Sequence, residues 1–193
     1  MDVQAKMDSV FENELIRNPR IKRAYEFASM AHGSIQQLRK YTGEPYITHP
    51  LEVAAIVASV EHTEEMIIAA LLHDVVEDTP VTLRHVEDEF GATVAEYVGW
   101  LTDVSKPSDG NRATRKGMDR NHTRQAPACV KTVKLGDLIS NTSTIVLYDP
   151  AFAKTYLPEK ALLLEVLKEG DAVLWNRAYA LLQEGQEVVK ADR

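Results

Sequence analysis

Histidine and acidic residues are concentrated in one short apolar segment, ALLHDVVEDTP, at residues 70–80. His73 and Glu77 are four residues apart, as are Asp74 and Asp78, so each pair can lie on one side of a helix. Three carboxylates on such an apolar helix repel one another and lose hydration, and a bound cation would relieve both penalties. Taken alone, the segment is more typical of a solvated acidic helix end with a hydrogen-bonded histidine, because short motifs often match by chance.

Two further residues with metal-binding side chains lie elsewhere in the chain. His49 immediately precedes Pro50, where a helix is predicted to begin, and taken alone it would be an N-terminal or core histidine. Asp137 lies in the apolar helical pattern KTVKLGDLISNT, where a carboxylate is costly unless it has a ligand or a nearby Lys or Arg. With His73 and Asp74 they form a set without thiolate, which argues against structural zinc. The set favours manganese or ferrous iron over magnesium or zinc.

The elements that must position these residues are predicted to be helices. Apolar residues recur at intervals of three and four, whereas alternation bounded by hairpin turns is nearly absent. Thr63 and Thr82 are predicted N-caps, and Pro80 should end the helix of the His-Asp pair near Asp78. Residues 105–111 (SKPSDGN) are predicted to form a loop. Later helices are expected from about residue 113, from Pro127, over 158–170 and over 171–183.

These patterns predict an all-α, compact, single-domain helical bundle over residues 1–193, with roughly eight to ten helices. The core motifs occupy residues 32–148, and helices within 155–186 are expected to pack at the C-terminal end. A chain of 193 residues, 45% of them hydrophobic, is long enough to bury one sizeable core.

Composition restricts the classes of function. The net charge of -7 lacks the basic footprint of a nucleic-acid-binding protein. A single cysteine, Cys129, excludes a disulfide within the chain. No apolar run approaches the roughly 20 residues of a membrane span, and the acidic N-terminus lacks the apolar region of a signal peptide. We therefore expect a cytoplasmic protein with no nucleic-acid or membrane partner.

Four sequence motifs occur in a characteristic order: RKYTGEPYITHPLEVA, LLHDVVEDT, LTDVSKP and KLGDLISN. They resemble the HD-domain phosphohydrolases and, more narrowly, the hydrolase domain of RelA/SpoT-type alarmone enzymes. The resemblance runs from about His32 to about Tyr148, and the lack of a synthetase region makes the chain similar to free-standing small alarmone hydrolases. It implies removal of the 3′-pyrophosphate from guanosine tetra- or pentaphosphate, with one manganese ion. The ligands it implies are His49, His73, Asp74 and Asp137.

The resemblance also implies roles for other side chains. Glu77 and Asp78 would position and activate water, Arg39 would lie against the purine base, and Asn141 and Thr144 would contact the nucleotide. Residues 138–141 are Leu-Ile-Ser-Asn, whereas the family often has Arg-Leu-His-Asn. The segment 105–125 is similar to small hydrolases, some of which act on adenosine alarmones. Both guanosine and adenosine alarmones, including ppApp, are therefore substrates to test.

Basic side chains near these words offer contacts for an anionic substrate in spite of the acidic net charge. Such contacts are predicted for Lys40, Lys106, Arg112, Arg115 and Lys134. The alternative for the basic run 112–124 is a solvated helix face. Tyr46 is predicted either to pack beside the preceding proline or to shape the pocket for the base.

Two other functions fit the same residues. One is a different HD phosphohydrolase that acts on a 5′-nucleotide or a nicotinamide dinucleotide phosphate, and the other is a catalytically silent nucleotide-binding regulator. Intact Glu77 and Asp78 argue against the regulator, since binding alone needs no water activator. The expected partner is a small-molecule nucleotide. The apolar stripe of Leu162, Leu163, Val166 and Leu167 would pack internally or against a second copy, which leaves a homodimer open.

Overall fold

The computed structural model describes residues 17–191 and is helical throughout most of that range. The prediction that the N-terminus is not a signal peptide concerns residues that lie mostly outside the described range. Within residues 17–191 there is no strand, and one isolated antiparallel bridge joins Leu38 to Pro45. The all-α prediction is thus confirmed. The chain divides after Thr102 into two compact units, and the single-domain organisation stays a prediction.

The described part of the first unit consists of short helices around one buried helix. They are α1 (Pro19–Ser34), α2 (Thr48–Ala58), α3 (Glu64–Leu72), α4 (Val75–Asp78), α5 (Leu83–Phe90) and α6 (Ala92–Leu101). Helix α3 packs against α1, α2 and α6, and every residue from Met66 to Leu72 is buried. A helix that is apolar on all sides is expected at the centre of a bundle, and α3 takes that place.

Local capping signals set several helix starts in this unit. The side chain of Thr63 accepts a hydrogen bond from the backbone N–H of Met66, and that of Thr82 accepts one from His85, so both predicted N-caps are confirmed. Gly91 separates α5 from α6 with a φ of 91°, a conformation that glycine adopts without steric cost.

The helix that carries the His-Asp pair is interrupted, contrary to the prediction of one helix ending near Asp78. Helix α3 ends at Leu72 and α4 begins at Val75, so His73 and Asp74 form the junction. The backbone stays in the right-handed region at both residues, and the N–H of Asp78 still donates to the carbonyl of Asp74 at 2.9 Å. The one-turn spacing of Asp74 and Asp78 therefore survives, although the helix is not continuous.

The second unit contains four longer helices and a 3-10 turn at Pro107–Asp109. They are α7 (Arg112–Gln125), α8 (Ala128–Tyr148), α9 (Pro150–Val166) and α10 (Ala172–Ala191). Helix α9 packs against each of the other three. None of the described helices in either unit combines the length and apolarity needed to cross a membrane.

The predicted start of α9 at residue 158 is wrong, because the helix begins at Pro150 and continues through Pro158. The side chain of Asp149 accepts a hydrogen bond from the N–H of Phe152. An Asp N-cap followed by Pro in the first turn is a strong start signal, and it outweighs the helix-breaking tendency of the later proline. Helix α10 also extends to Ala191, beyond its predicted end at residue 183.

Two glycines allow close packing in the second unit. A Cβ atom added to Gly170 would lie 2.9 Å from Cδ1 of Leu135 and 3.1 Å from the backbone carbonyl carbon of Lys131. A Cβ atom added to Gly185 would lie 2.9 Å from Cγ2 of Val146. Both positions therefore have no room for a side chain unless their neighbours move.

Candidate metal centre

Three of the four predicted metal ligands come together in the first unit. His49 lies in the first turn of α2, and His73 and Asp74 form the junction between α3 and α4. Nε2 of His73 lies 3.1 Å from Oδ2 of Asp74, and Nε2 of His49 lies 3.8 Å from the same oxygen. One ligand atom from each residue lies within 4.8 Å of the others, so the group is compact enough to hold a metal ion.

The hydrogen bond made by Nδ1 of His73 determines which nitrogen of the ring carries the proton. Nδ1 of His73 lies 2.8 Å from the carbonyl oxygen of Ala70, which can only accept, so Nδ1 carries the proton. In the neutral ring Nε2 then presents a lone pair to the nearby Asp74 carboxylate, and the two lone pairs repel each other. A cation between them removes this repulsion. Ligand atoms bound at about 2.1 Å from one ion are about 3 to 4 Å apart, as found here.

Tyr46 supports this group directly. Its hydroxyl donates a hydrogen bond of 2.6 Å to Oδ2 of Asp74. Its ring lies 5.8 Å from the ring of His49 and 4.8 Å from that of His32. The sequence indicated only packing or a base pocket for Tyr46, although its position three residues before His49 already placed it near the predicted ligands.

A hydrogen-bonded chain that sequence reasoning missed leads to Asp78. Nδ1 of His32 lies 2.7 Å from Oε1 of Gln37, and Nε2 of Gln37 donates to Oδ2 of Asp78 at 2.7 Å. Burial lowers the pKa of His32, so its ring is neutral and Nδ1 carries the proton. Its Nε2 is buried with no hydrogen-bond partner among the described residues.

The hydrogen bond from Gln37 opposes the effect of burial on the pKa of Asp78. Burial of the carboxyl group raises the pKa of Asp78, and the hydrogen bond from Gln37 lowers it by stabilising the carboxylate. Only one feature of the sequence pointed to these hydrogen bonds. His32 continues the buried helix face of Ile21, Ala24 and Ala28 at helical spacing.

The other predicted site residues of the first unit lie on its surface. Glu77 is exposed in α4, and Lys40 is exposed with its Nζ 3.1 Å from the hydroxyl of Tyr41. Arg39 is half-buried, and its backbone N–H donates to the carbonyl of Glu44 at 2.8 Å. Their roles toward water, base and phosphate stay predictions.

The fourth predicted ligand, Asp137, is buried in α8 of the second unit. Its Oδ2 lies 3.2 Å from Nζ of Lys134, and its Oδ1 accepts a hydrogen bond of 2.5 Å from Asn141. The hydroxyl of Thr144 donates to the carbonyl of Ser140 at 3.1 Å. Asp137 thus has the lysine partner that was the alternative to a metal, and its role as a ligand stays a prediction.

The predicted phosphate contacts of the second unit have different surroundings. Lys106 is exposed, whereas Arg112 makes two hydrogen bonds to Glu159, of 2.7 and 2.9 Å. Nε of Arg115 is buried and has no hydrogen-bond partner among residues 17–191. A phosphate would have to compete with Glu159 for Arg112, so this residue is a weaker binding group than its charge alone indicated.

The loop before Lys106 is fastened by a second group that the sequence did not reveal. The buried carboxylate of Asp119 accepts hydrogen bonds from the backbone N–H groups of Val104 (3.2 Å) and Ser105 (2.9 Å). It also accepts one of 3.0 Å from the hydroxyl of Ser105. The segment 103–106 is therefore held against α7.

Comparison with known sequences gives a consistent result. The profile of the HD domain family matches residues 24–143. A guanosine-3′,5′-bis(diphosphate) 3′-pyrophosphohydrolase of Aquifex aeolicus is 51% identical over 86 residues, which cover 45% of this chain and 12% of that protein. The bifunctional (p)ppGpp synthase/hydrolase SpoT of Escherichia coli is 37% identical over 131 residues, 65% of this chain and 18% of SpoT. The chain thus spans less than a fifth of the length of these relatives.

Solved structures also resemble this chain. One, described as a metazoan ortholog of SpoT that hydrolyzes ppGpp, superposes with a TM-score of 0.76 at 25% identity. The match covers 86% of this chain and 96% of that protein. A protein of Listeria monocytogenes superposes with a TM-score of 0.61 at 23% identity, covering 75% of this chain and 99% of its own, and this likeness shows the fold alone.

Proposed function

Because this chain belongs to the HD-domain family, we propose that it is a metal-dependent hydrolase of nucleotide alarmones. The proposed reaction removes the 3′-pyrophosphate of (p)ppGpp or (p)ppApp and leaves a nucleoside 5′-diphosphate or 5′-triphosphate. The main support for this proposal is the compact group of His49, His73 and Asp74 in a chain that is similar to named (p)ppGpp hydrolases.

The proposed metal ion is manganese, held by His49, His73 and Asp74, with Asp137 as the proposed fourth ligand. When bound, a divalent ion neutralises charge on a phosphoryl oxygen and acidifies water. Imidazole and carboxylate ligands without thiolate suit manganese or ferrous iron, and zinc is the competitor to test.

The carboxylates of α4 are the proposed groups that handle water. Glu77 is exposed one turn after His73, and it accepts the proton of the water that attacks the phosphorus joined to the 3′-oxygen. Asp78 holds the same water, while Gln37 fixes the orientation of the Asp78 carboxylate through the 2.7 Å hydrogen bond. The phosphorus–O3′ bond breaks, and the departing 3′-oxygen takes up a proton.

Replacing Glu77 by Gln tests this assignment. The purified chain is incubated with manganese and guanosine 3′,5′-bis(diphosphate), and GDP and pyrophosphate are measured. We expect Glu77→Gln to reduce kcat by about 100-fold or more, because a general base contributes about 10² to 10⁴. Bound manganese should stay at the wild-type level. Glu87→Gln, at an exposed position of α5, is the matched control and should retain full activity.

Each alternative gives a different result in the same assay. Loss of manganese together with activity in Glu77→Gln would mean that Glu77 is a ligand. Release of orthophosphate would indicate another kind of HD phosphohydrolase. Nucleotide binding without any product would indicate a silent regulator.

The preference for the base is a separate question. We propose that guanosine and adenosine alarmones both bind, with Arg39 against the purine and Asn141 and Thr144 at the nucleotide. Kinetics measured side by side with the two bis(diphosphates) will give the ratio of kcat/KM. Arg39→Ala should raise KM for both, and an unchanged KM would remove Arg39 from the base site.

A further inference from the structure

His32, near the end of α1, is a buried histidine that the proposed mechanism does not use. Its side chain is 1% exposed and lies on the face of the helix that Ile21, Ala24 and Ala28 form. Its Nε2 atom has no hydrogen-bond partner among residues 17–191. A buried polar atom without a partner lowers stability, so an apolar side chain would suit this face better. The packing of α1 therefore does not explain why an imidazole is present here.

The backbone at the end of α1 brings Gln37 back beside His32. The N–H of Gln36 donates to the carbonyl of Gly33 at 3.0 Å, and the N–H of Gln37 donates to that of His32 at 3.1 Å. Gln36 has a φ of 54°, so these bonds form a Schellman motif with glutamine at the left-handed position that glycine usually takes. The side-chain contact that closes this motif is commonly apolar, whereas here it joins an imidazole to an amide.

The backbone of Gln37 is held on both sides, so the direction of its side-chain amide is the freedom that remains. In addition to the N–H bond to His32, the carbonyl of Gln37 accepts a hydrogen bond of 3.1 Å from the N–H of Tyr46. Oε1 of Gln37 lies 2.7 Å from Nδ1 of His32, and Nε2 lies 2.7 Å from Oδ2 of Asp78. An amide group has nearly the same shape after a half-turn, so shape alone does not determine which end faces Asp78.

The position of the proton on His32 selects the direction of the amide. With the proton on Nδ1, the ring donates to Oε1 of Gln37, and the NH2 group of Gln37 faces Asp78. With the proton on Nε2, Nδ1 would accept from the NH2 group, and Oε1 would face the Asp78 carboxylate. Two acceptors would then repel each other, and Nε2 would be a buried N–H without an acceptor. The first arrangement is therefore favoured.

We infer that His32 is a positioning residue that acts through Gln37 to hold the Asp78 carboxylate in the orientation that binds the attacking water. The role of Asp78 toward water rests on the proposed function, whereas the orientation of Gln37 by His32 rests on the geometry. His32 was not among the site residues predicted from the sequence. Because it acts through another residue, its effect is expected on kcat and not on KM or on the affinity for metal.

Kinetics of His32→Leu with manganese and guanosine 3′,5′-bis(diphosphate) test this role. Leucine fills the apolar face but removes the Nδ1 donor, so kcat should fall about tenfold, as expected for the loss of one supporting hydrogen bond. KM and the Kd for manganese should stay within about threefold of wild type. His32→Asn, whose amide N–H can replace the Nδ1 donor, should restore kcat to within about threefold of wild type. His62→Leu, at a half-buried histidine before α3, is the matched control and should retain full activity.

A double-mutant cycle separates positioning from a general structural role. In the background of Gln37→Met, which has no amide to orient, His32→Leu should change kcat by less than about twofold. Reductions that multiply in the double variant would overturn the inference, and so would a raised Kd for manganese in His32→Leu, because His32 would then act by another route. The cycle decides this even if Tm changes, since the same leucine is compared in both backgrounds.

Nuclear magnetic resonance distinguishes failure of this inference from failure of the proposed function. Imidazole nitrogen spectra of the full chain, recorded without the paramagnetic manganese, should show the His32 proton on Nδ1. The side-chain amide protons of Gln37 should exchange more slowly in wild type than in His32→Leu. A proton on Nε2, or equal exchange in the two proteins, would overturn the inference. If the wild-type chain hydrolyses no alarmone but gives the expected spectra, the proposed function fails and the orientation of Gln37 by His32 stands.

Discussion

Removal of the Tyr46 hydroxyl should weaken metal binding and leave the fold intact. The hydroxyl donates at 2.6 Å to Oδ2 of Asp74, the oxygen that lies 3.1 Å from Nε2 of His73. A hydrogen bond to a charged group contributes about 1.5 to 3 kcal/mol, and loss of such a supporting partner lowers metal affinity by about 10- to 100-fold. Tyr46→Phe keeps the ring contacts to His32 and His49, so the change is confined to one hydrogen bond.

The assay is a manganese titration of the metal-stripped full chain, followed by calorimetry or by the electron paramagnetic resonance signal of free manganese. The Kd of Tyr46→Phe should be about 10- to 100-fold higher than that of wild type. Activity should recover when manganese is raised above the new Kd. Tyr41→Phe is the control, because the Tyr41 hydroxyl lies 3.1 Å from Nζ of Lys40 and serves a different part of the surface.

One result would refute this reasoning. If Tyr46→Phe binds manganese like wild type but has a higher KM for the nucleotide, Tyr46 belongs to the base pocket and its contact with Asp74 has no role in holding the ion.

The remaining predictions concern protonation, the loop at 103–106 and packing. Gln37→Met should shift the acid limb of the kcat profile to higher pH, because Asp78, whose pKa burial already raises, loses the hydrogen bond that stabilises its carboxylate; an unmoved limb would exclude Asp78 as the titrating group. Asp119→Ala should lower the free energy of unfolding in urea by about 1.5 to 3 kcal/mol, since the partly buried backbone N–H groups of Val104 and Ser105 lose a charged acceptor. Gly170→Ala should lower Tm, at a cost of about 1 to 3 kcal/mol for overpacking. Gly33→Ala in α1, where an added Cβ meets nothing within 4 Å, should raise Tm, and equal shifts for the two glycines would contradict the packing described for Gly170.

The sequence by itself determined the secondary structure class and several element boundaries. Apolar spacing of three and four predicted the helices, and hydroxyl side chains before apolar runs located the N-caps at Thr63 and Thr82. These features depend on neighbours within about one helical turn, so they can be read locally. The sequence also showed that His73 and Asp74 are adjacent. It did not show that one helix ends at Leu72 and the next begins at Val75.

Signals that compete within one segment were less decisive. Pro158 indicated a helix start, but Asp149 and Pro150 supply a better one, and the packing of α9 accommodates the later proline. Local propensity is compatible with a helix start at either Pro150 or Pro158, and packing against neighbouring helices selects the earlier one.

The partners of the chemically active groups were decided only by tertiary structure. The sequence nominated His49 and His73 as ligands, yet only the packing of α2 against α3 places both beside one carboxylate oxygen. The contact of Gln37 with Asp78 spans 41 positions along the chain. Helical periodicity specifies which face of each helix is buried, but the face that it meets depends on how whole helices pack together, which no local pattern encodes.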